Sequence, residues 1–124
     1  MLRPALGYLM TLDVLPGAAD FRYRLFGSVV ADRSGFDLTG KLVSQVPGPP
    51  EGVTWFLATY AAAALEAAPL YTEHTPWAEM SVTRWYRLVL PLAGAGGAVQ
   101  RFVVANVPGS MRLPSSDPIG EIPG

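Results

Sequence analysis

Strands are predicted wherever apolar and polar side chains alternate along the chain, because successive side chains of a strand point to opposite faces. The clearest case is Phe21, Tyr23 and Leu25, which alternate with two arginines. Pro16-Gly17 ends the first strand, so the first two strands are predicted to form a hairpin. The glycine-rich segment 94–97 predicts a hairpin turn between the last two strands. Five strands are predicted, over residues 8–15, 20–26, 70–75, 82–92 and 99–107.

The middle of the chain changes to helical spacing. Residues 51–67 follow a Pro-Gly-Pro-Pro breaker and predict the longest helix, with Glu51 at the positive end of its dipole. Residues 28–42 predict short helical turns. The element order therefore predicts an α+β domain with a five-stranded antiparallel sheet whose one face is covered by helices. The apolar stripe of the long helix is predicted to hold Val53, Leu57, Tyr60, Ala61, Ala64 and Leu65.

Length and composition favour one domain with a substantial apolar interior. The chain has 124 residues, of which half are apolar and only 15% are charged, against about 25% in typical soluble domains. We therefore expect some apolar surface to face a cavity or another subunit. Residues 1–107 are assigned to the domain, and residues 108–124, rich in proline and glycine, predict a flexible tail.

Charge and residue usage exclude several functions. Nine basic and ten acidic residues leave a formal charge of −1, which does not suit nucleic-acid binding. The chain has no cysteine, so disulfides, thiolate catalysis and cysteine-bound zinc are excluded. No apolar stretch reaches the roughly 18 residues of a membrane span, and no signal-peptide pattern precedes the first strand. The cytoplasm is the expected location.

Few residues suggest catalysis or metal binding. Residues 32–37 contain oxygen-bearing side chains in alternation, but the glycine comes two positions early for a calcium loop, and Val43 stands where the final acidic ligand would be. His74 is the single histidine, and no nucleophile motif accompanies it. One alternative is a small cone-shaped isomerase or dehydratase in which His74 acts with Asp13 or Glu79 as acid and base. We expect no enzymatic activity.

Aromatic residues come from both the sheet and the helical side of the predicted fold. They can simply pack the core, or they can line a pocket between the sheet and the long helix. In the second interpretation the pocket takes a small apolar molecule, and tyrosine hydroxyls supply its few polar groups. The predicted pocket residues are Phe36, Trp55, Phe56, Tyr60, Tyr86 and Phe102.

Two segments carry a resemblance to a known family. Residues 20–27, DFRYRLFG, and residues 35–41, GFDLTGK, resemble motifs of bacterial PAS domains that occur as standalone proteins. Residues 86–92, YRLVLPL, and the glycine-rich turn after them resemble later parts of the same family. The resemblance spans about residues 6–107, and the first two motifs together are its more specific part.

The resemblance implies a five-stranded antiparallel sheet with helices over one face, a sensory role and frequent homodimerisation. Output would pass through a downstream signalling protein. It names no cofactor, because PAS-type domains hold haem, flavins, small acids, apolar molecules or nothing. Flavin photochemistry would need a cysteine, and haem would need a histidine on the long helix; both are missing. An N-terminal dimer helix is expected to be short or missing, and a ligand-free dimerisation or scaffold domain is the alternative.

Overall fold

The structure is a computed structural model that describes residues 3–109. Short 3₁₀ turns lie at Pro16–Ala18 and Val43–Gln45. The five predicted strands and the long helix are confirmed within a few residues, whereas the short first helix was not predicted. Most of the predicted tail lies outside the described residues. The elements are α1 (Arg3–Leu6), β1 (Leu9–Val14), β2 (Phe21–Phe26), α2 (Ser28–Ser34), α3 (Pro50–Glu66), β3 (Leu70–His74), β4 (Trp85–Ala93) and β5 (Val99–Pro108).

The five strands form one antiparallel sheet in the order β2-β1-β5-β4-β3. The predicted hairpins β1–β2 and β4–β5 are neighbours in it. The sheet is completed by pairing between β1 and β5, which are the first and last strands of the chain. Helices α2 and α3 cover one face, as predicted for the α+β class. No described helix has the length and apolar character needed to cross a bilayer.

The helix α3 turns a different stripe to the sheet from the one predicted. Its fully buried residues are Gly52, Tyr60 and Ala63, whereas Leu65 is 87% exposed. The prediction for Leu65 is therefore wrong. Small residues let the helix backbone approach its neighbours closely: a side chain at Gly52 would place its Cβ 3.0 Å from the ring of Trp77. The face that α3 turns to the core is thus determined by the close approach of its small residues as well as by its large apolar side chains.

The two segments that carry the family resemblance are hydrogen-bonded to each other. The Tyr23 amide donates to the Lys41 carbonyl at 2.9 Å, and the Gly40 amide donates to the Tyr23 carbonyl at 2.7 Å. The Asp20 carboxylate accepts a further bond from the Ser44 hydroxyl. These contacts hold the loop after α2 against the edge strand β2. In this position Leu38 of the loop is part of the core, and Phe36 packs against the core.

The strand β4 buries the face that contains an arginine and exposes the face that contains the leucines. Trp85, Arg87 and Val89 point to the buried side, although one of them is an arginine. Leu88 and Leu90, which alternate with them, are 39% and 38% exposed on the outer face. The outer face of the sheet consequently carries an apolar band that we define as Tyr71, Leu88, Leu90, Leu92 and Val107.

Candidate functional site

A cavity of about 60 Å³ lies between the inner face of the sheet and the helices. Its wall comes from β1, β2, β3, β4 and β5, from α2 and α3, and from the loop that follows β3. Most of the lining is apolar, including Met10, Val30, Phe56 and Trp85. The polar groups in the lining are few, as expected for a small-molecule site. They are Tyr23, Ser34, Tyr60, His74, Arg87 and Asn106.

Arg87 is the one charged residue among the described residues of this lining, and it is 1% exposed. It pairs in register with Thr72 of β3, and its Nη1 donates to the Thr72 hydroxyl at 3.2 Å. Its Nη2 donates to the phenol oxygen of Tyr60 from α3. Two neutral oxygens therefore accept hydrogen bonds from the positively charged guanidinium.

Aromatic rings surround the same guanidinium. Its central carbon lies 4.9 Å from the ring centre of Tyr60, 5.2 Å from that of Phe56 and 5.7 Å from that of Trp55. Each ring face attracts a cation. None of these partners carries a negative charge, because burial raises the pKa of the Tyr60 phenol more than Arg87 lowers it.

No carboxylate within the described part of the chain balances the charge of Arg87. Across residues 5–109 the ion pairs involve Arg24, Arg33, Arg84 and Arg101, and none includes Arg87. Its Nε is buried and has no hydrogen-bond acceptor among the described residues. A buried charge is normally paired, because taking an ion out of water costs several kcal/mol. As far as the described residues extend, the site therefore has an unused donor and an uncompensated positive charge.

His74 lies at the end of β3 among aromatic rings. Its ring stacks on that of Trp77 with centres 5.1 Å apart, and the rings of Trp55 and Phe56 are in contact with it as well. Burial, together with the charges of Arg87 and Arg84, lowers the pKa of His74 to about 3. At neutral pH the imidazole is therefore uncharged. Its buried Nδ1 has no partner within the described part of the chain.

Asn106 of β5 adds a third unsatisfied group to the lining. Its amide nitrogen donates only weakly, to the sulfur of Met10 at 4.0 Å. Its buried Oδ1 has no donor among residues 5–109. Buried polar groups in proteins are nearly always hydrogen-bonded. Three such groups around one cavity, on Arg87, His74 and Asn106, are typical of a site built to hold a polar ligand.

The predicted pocket residues fall into three groups. Phe36, Phe56 and Tyr60 line the cavity. Trp55 does not line it, but its ring packs on His74, which does. Phe102 is fully buried and does not line the cavity, but its ring stacks on that of Tyr60 with centres 5.5 Å apart.

Tyr86 requires a correction. It pairs with Val107 and Glu73 and points to the outer face of the sheet, whereas its neighbours Trp85 and Arg87 point inwards. A strand residue lies on the face opposite to that of its neighbours, so the assignment of Tyr86 to the pocket depended on the leucine side of β4 being the buried side. The structure has the opposite orientation.

Sequence reasoning missed Arg87 as a pocket residue. The signal was present, because Arg87 alternates with the large apolar residues Trp85 and Val89. This signal was outweighed by the leucines at the alternate positions of β4, because leucine is usually buried and the leucine face was therefore expected to point inwards. Asn106 gave no signal, since a single asparagine in a strand is unremarkable.

The structure does not bring together the acid–base pair proposed from Asp13. Asp13 lies on the outer face of the sheet, where Arg24 and Arg101 bind its carboxylate at 3.3 Å and 2.9 Å, while His74 faces the cavity. Glu79 is exposed. Among residues 5–109, no ion pair or hydrogen bond joins it to His74, and no group of three or more metal-ligating side chains could hold a metal ion.

Comparison with solved structures shows a PAS-like fold. The PAS domain of BvgS from Bordetella pertussis matches with a TM-score of 0.63 at 15% identity, over 84% of this chain and 77% of that chain. A sensory-box histidine kinase from Vibrio cholerae matches with a TM-score of 0.59 at 14% identity, over 82% of each chain.

A third similar structure is the LOV domain of the blue-light photoreceptor Aureochrome1, in its light state. It matches with a TM-score of 0.58 at 13% identity, over 88% of this chain and 86% of that chain. No protein-family profile and no curated protein matches the sequence. At these identities the comparisons show the fold, and membership of a standalone bacterial PAS family stays a prediction.

Proposed function

We propose that the chain is a sensory module that binds a small molecule in the cavity between its sheet and α3 and passes the signal to a partner protein without catalysis. The observation that carries this proposal is the cavity itself, with its mainly apolar wall and its three unsatisfied polar groups. The fold supports it, because the similar structures include a sensory-box sensor histidine kinase and a LOV domain of a blue-light photoreceptor.

The position of the cavity suits signalling. Residues from α3, from the loop after β3 and from the sheet meet there, so a bound molecule would contact all three layers at once. Phe56 and Tyr60 of α3 contact Arg87 of the sheet across it. A ligand that repositions Arg87 would therefore shift the packing of α3 on the sheet. A ligand shifts a protein towards the conformation that it binds more tightly.

Native mass spectrometry of protein purified from its own host tests the proposal. We expect a retained small-molecule adduct that is lost on denaturation. The variant Val30→Phe adds bulk to a fully buried cavity residue and should reduce the adduct strongly, whereas Leu65→Phe, at an exposed position of α3, should retain it. Absence of any adduct from protein that is folded, under conditions that preserve weak complexes, would contradict ligand binding.

A second candidate function is that of a ligand-free dimerisation domain, and the apolar band on the outer face of the sheet favours it. The band is uncharged, while Asp13 and Glu73 beside it already pair with arginines of the same molecule. It offers no charge to an oppositely charged partner and best matches a surface as neutral as itself. A second copy of this chain, related by two-fold symmetry, supplies such a surface.

A further inference from the structure

We infer that the natural ligand of the cavity is a small monocarboxylate whose carboxylate pairs with Arg87. This inference rests on the proposed function, since it names the chemical class of molecule that the cavity binds. It departs from the expectation of a purely apolar ligand. It follows from the charge, the size and the lining of the cavity, which are taken in turn below.

The first argument is the charge of Arg87. A guanidinium has five N–H donors, and here two nitrogens donate to neutral hydroxyl oxygens while the buried Nε donates to nothing in residues 5–109. A carboxylate is the acceptor that matches a guanidinium in both geometry and charge. A bound carboxylate would supply the acceptor and the negative charge that the described residues do not.

The second argument is the number of charges. Arg87 is the single cation that residues 5–109 contribute to the cavity lining, and the lining residues Tyr23, Ser34 and Asn106 are neutral. His74 is also neutral at physiological pH. The cavity therefore provides one positive charge, which balances one negative charge. A dianion such as sulfate would keep an uncompensated charge in an apolar surrounding, which is costly.

The third argument is size and shape. By volume the cavity holds about four to six atoms of water size, since one water needs about 10–15 Å³ of such space. Beyond the polar groups, its wall is made of side chains such as Phe26, Phe36 and Met80. A molecule of this size with an anionic head and a short hydrocarbon or keto body fits both regions, as in acetate, pyruvate or butyrate.

Intrinsic fluorescence provides the test, because the three tryptophans of the chain all lie at this site. Trp77 and Trp85 line the cavity, and Trp55 contacts Arg87. The full-length protein is titrated with sodium butyrate at constant ionic strength, and in parallel with butyramide, its neutral isostere. We expect a saturable fluorescence change with butyrate at a Kd of about 1 mM or lower, and binding of butyramide at least about 10-fold weaker.

Variants locate the effect. Arg87→Met should weaken butyrate binding at least about 10-fold, because it removes the charge and keeps the chain length. Arg24→Met removes an arginine from the opposite face of the sheet and should leave the Kd unchanged. If Arg87→Met fails to fold, the comparison of butyrate with butyramide in the unaltered protein decides the question by itself.

The outcomes separate this inference from the proposed function. Equal affinity for butyramide and butyrate would overturn the anion inference and leave a small-molecule pocket in place. Equal affinity for inorganic phosphate would also overturn it, in favour of an inorganic anion. No response to acetate, pyruvate or butyrate would overturn the monocarboxylate assignment, while an adduct in native mass spectrometry would still support ligand binding.

Discussion

Arg87 lies on the inner face of β4 with 1% of its surface exposed and with three aromatic rings around it. Desolvation of a guanidinium costs several kcal/mol, and contacts with ring faces return about 0.5–2 kcal/mol each. Hydrogen bonds to Tyr60 and Thr72 offset a further part. At the scale of single residues, the stability of this core depends on how well a few neutral groups solvate one buried cation.

The hydroxyl of Tyr60 is therefore expected to contribute strongly to stability. Tyr60→Phe keeps the ring that stacks on Phe102 but removes the acceptor from Arg87. We predict a loss of about 1.5–3 kcal/mol in the free energy of unfolding, measured by urea denaturation. The control is Tyr86→Phe on the outer face, which should change it by less than about 0.5 kcal/mol. Equal effects of the two substitutions would contradict the role assigned to Tyr60.

His74 makes the stability depend on pH. Its pKa is about 3 in the folded chain, against 6.5 for an ordinary histidine, chiefly through burial and the charge of Arg87. Below pH 6.5 the unfolded chain binds a proton that the folded chain does not, so stability falls as the pH falls towards 3. Between pH 7.5 and pH 5 this single group should remove about 2 kcal/mol of unfolding free energy.

The variant His74→Phe tests this pH dependence. Phenylalanine keeps a ring for stacking on Trp77 but cannot take a proton. Urea denaturation at both pH values should show a pH-dependent loss about 2 kcal/mol smaller in the variant than in the unaltered chain. Carboxylates titrate in both proteins and cancel in the comparison. Identical pH profiles would show that His74 protonates freely in the folded state.

At the scale of elements, the end of α3 contains a local conflict. The helix ends at Glu66, and Ala67 follows in the left-handed conformation with φ of +53°. Its amide still donates to the carbonyl of Ala63. Helices commonly end in this geometry, but glycine is the residue that adopts it without a Cβ penalty. Alanine at this position therefore lowers the stability of the fold slightly relative to glycine.

An alanine-to-glycine substitution should have opposite effects inside α3 and at its C-terminal cap. Ala67→Gly relieves the left-handed conformation and is predicted to stabilise the chain by about 0.5–1 kcal/mol. Ala62→Gly, at an exposed position inside α3, should destabilise it by about 1 kcal/mol. Thermal unfolding of both variants is the measurement. Destabilisation by both would show that the C-terminal end of α3 does not adopt the left-handed cap.

At the scale of the whole molecule, the apolar residues of the sheet are divided between two surfaces. The inner face buries residues such as Leu12, Val89 and Val104 against the helices. The outer face exposes Leu88, Leu90 and Leu92, with Leu92 45% exposed. Large apolar patches are uncommon on the surface of monomeric proteins and often mark an interaction site. The inner face thus carries the proposed ligand site, and the outer face carries the proposed partner site.

The substitution Leu90→Lys tests whether that partner is a second copy. A lysine in the centre of the band would place two like charges near each other across a two-fold axis, so we predict that a dimer becomes a monomer. Sedimentation equilibrium measures the change. The control Leu65→Lys alters an exposed leucine of α3 and should leave the dimer intact. An unaltered chain that is monomeric throughout would contradict the dimer.

Much of the fold could be predicted because its signals are local. Alternation such as that of Phe21 and Tyr23 determines a strand, and the prolines before Glu51 determine where the long helix begins. The glycine-rich segment 94–97 determines the turn between β4 and β5. Each of these signals acts within a few residues, so it is the same in any tertiary context.

The candidate site depended on longer-range contacts. Alternation established that Arg87 and Leu88 lie on opposite faces of β4, but not which face is buried. Burial of Arg87 becomes acceptable only because Tyr60, Thr72 and Phe56 reach it from α3 and β3. The two residues that accept its hydrogen bonds are distant in sequence: Thr72 is 15 residues from Arg87, and Tyr60 is 27 residues from it. The strands and helices are thus determined by the local sequence, whereas the charged cavity is determined by tertiary packing, because a buried cation is stable only where distant neighbours solvate it.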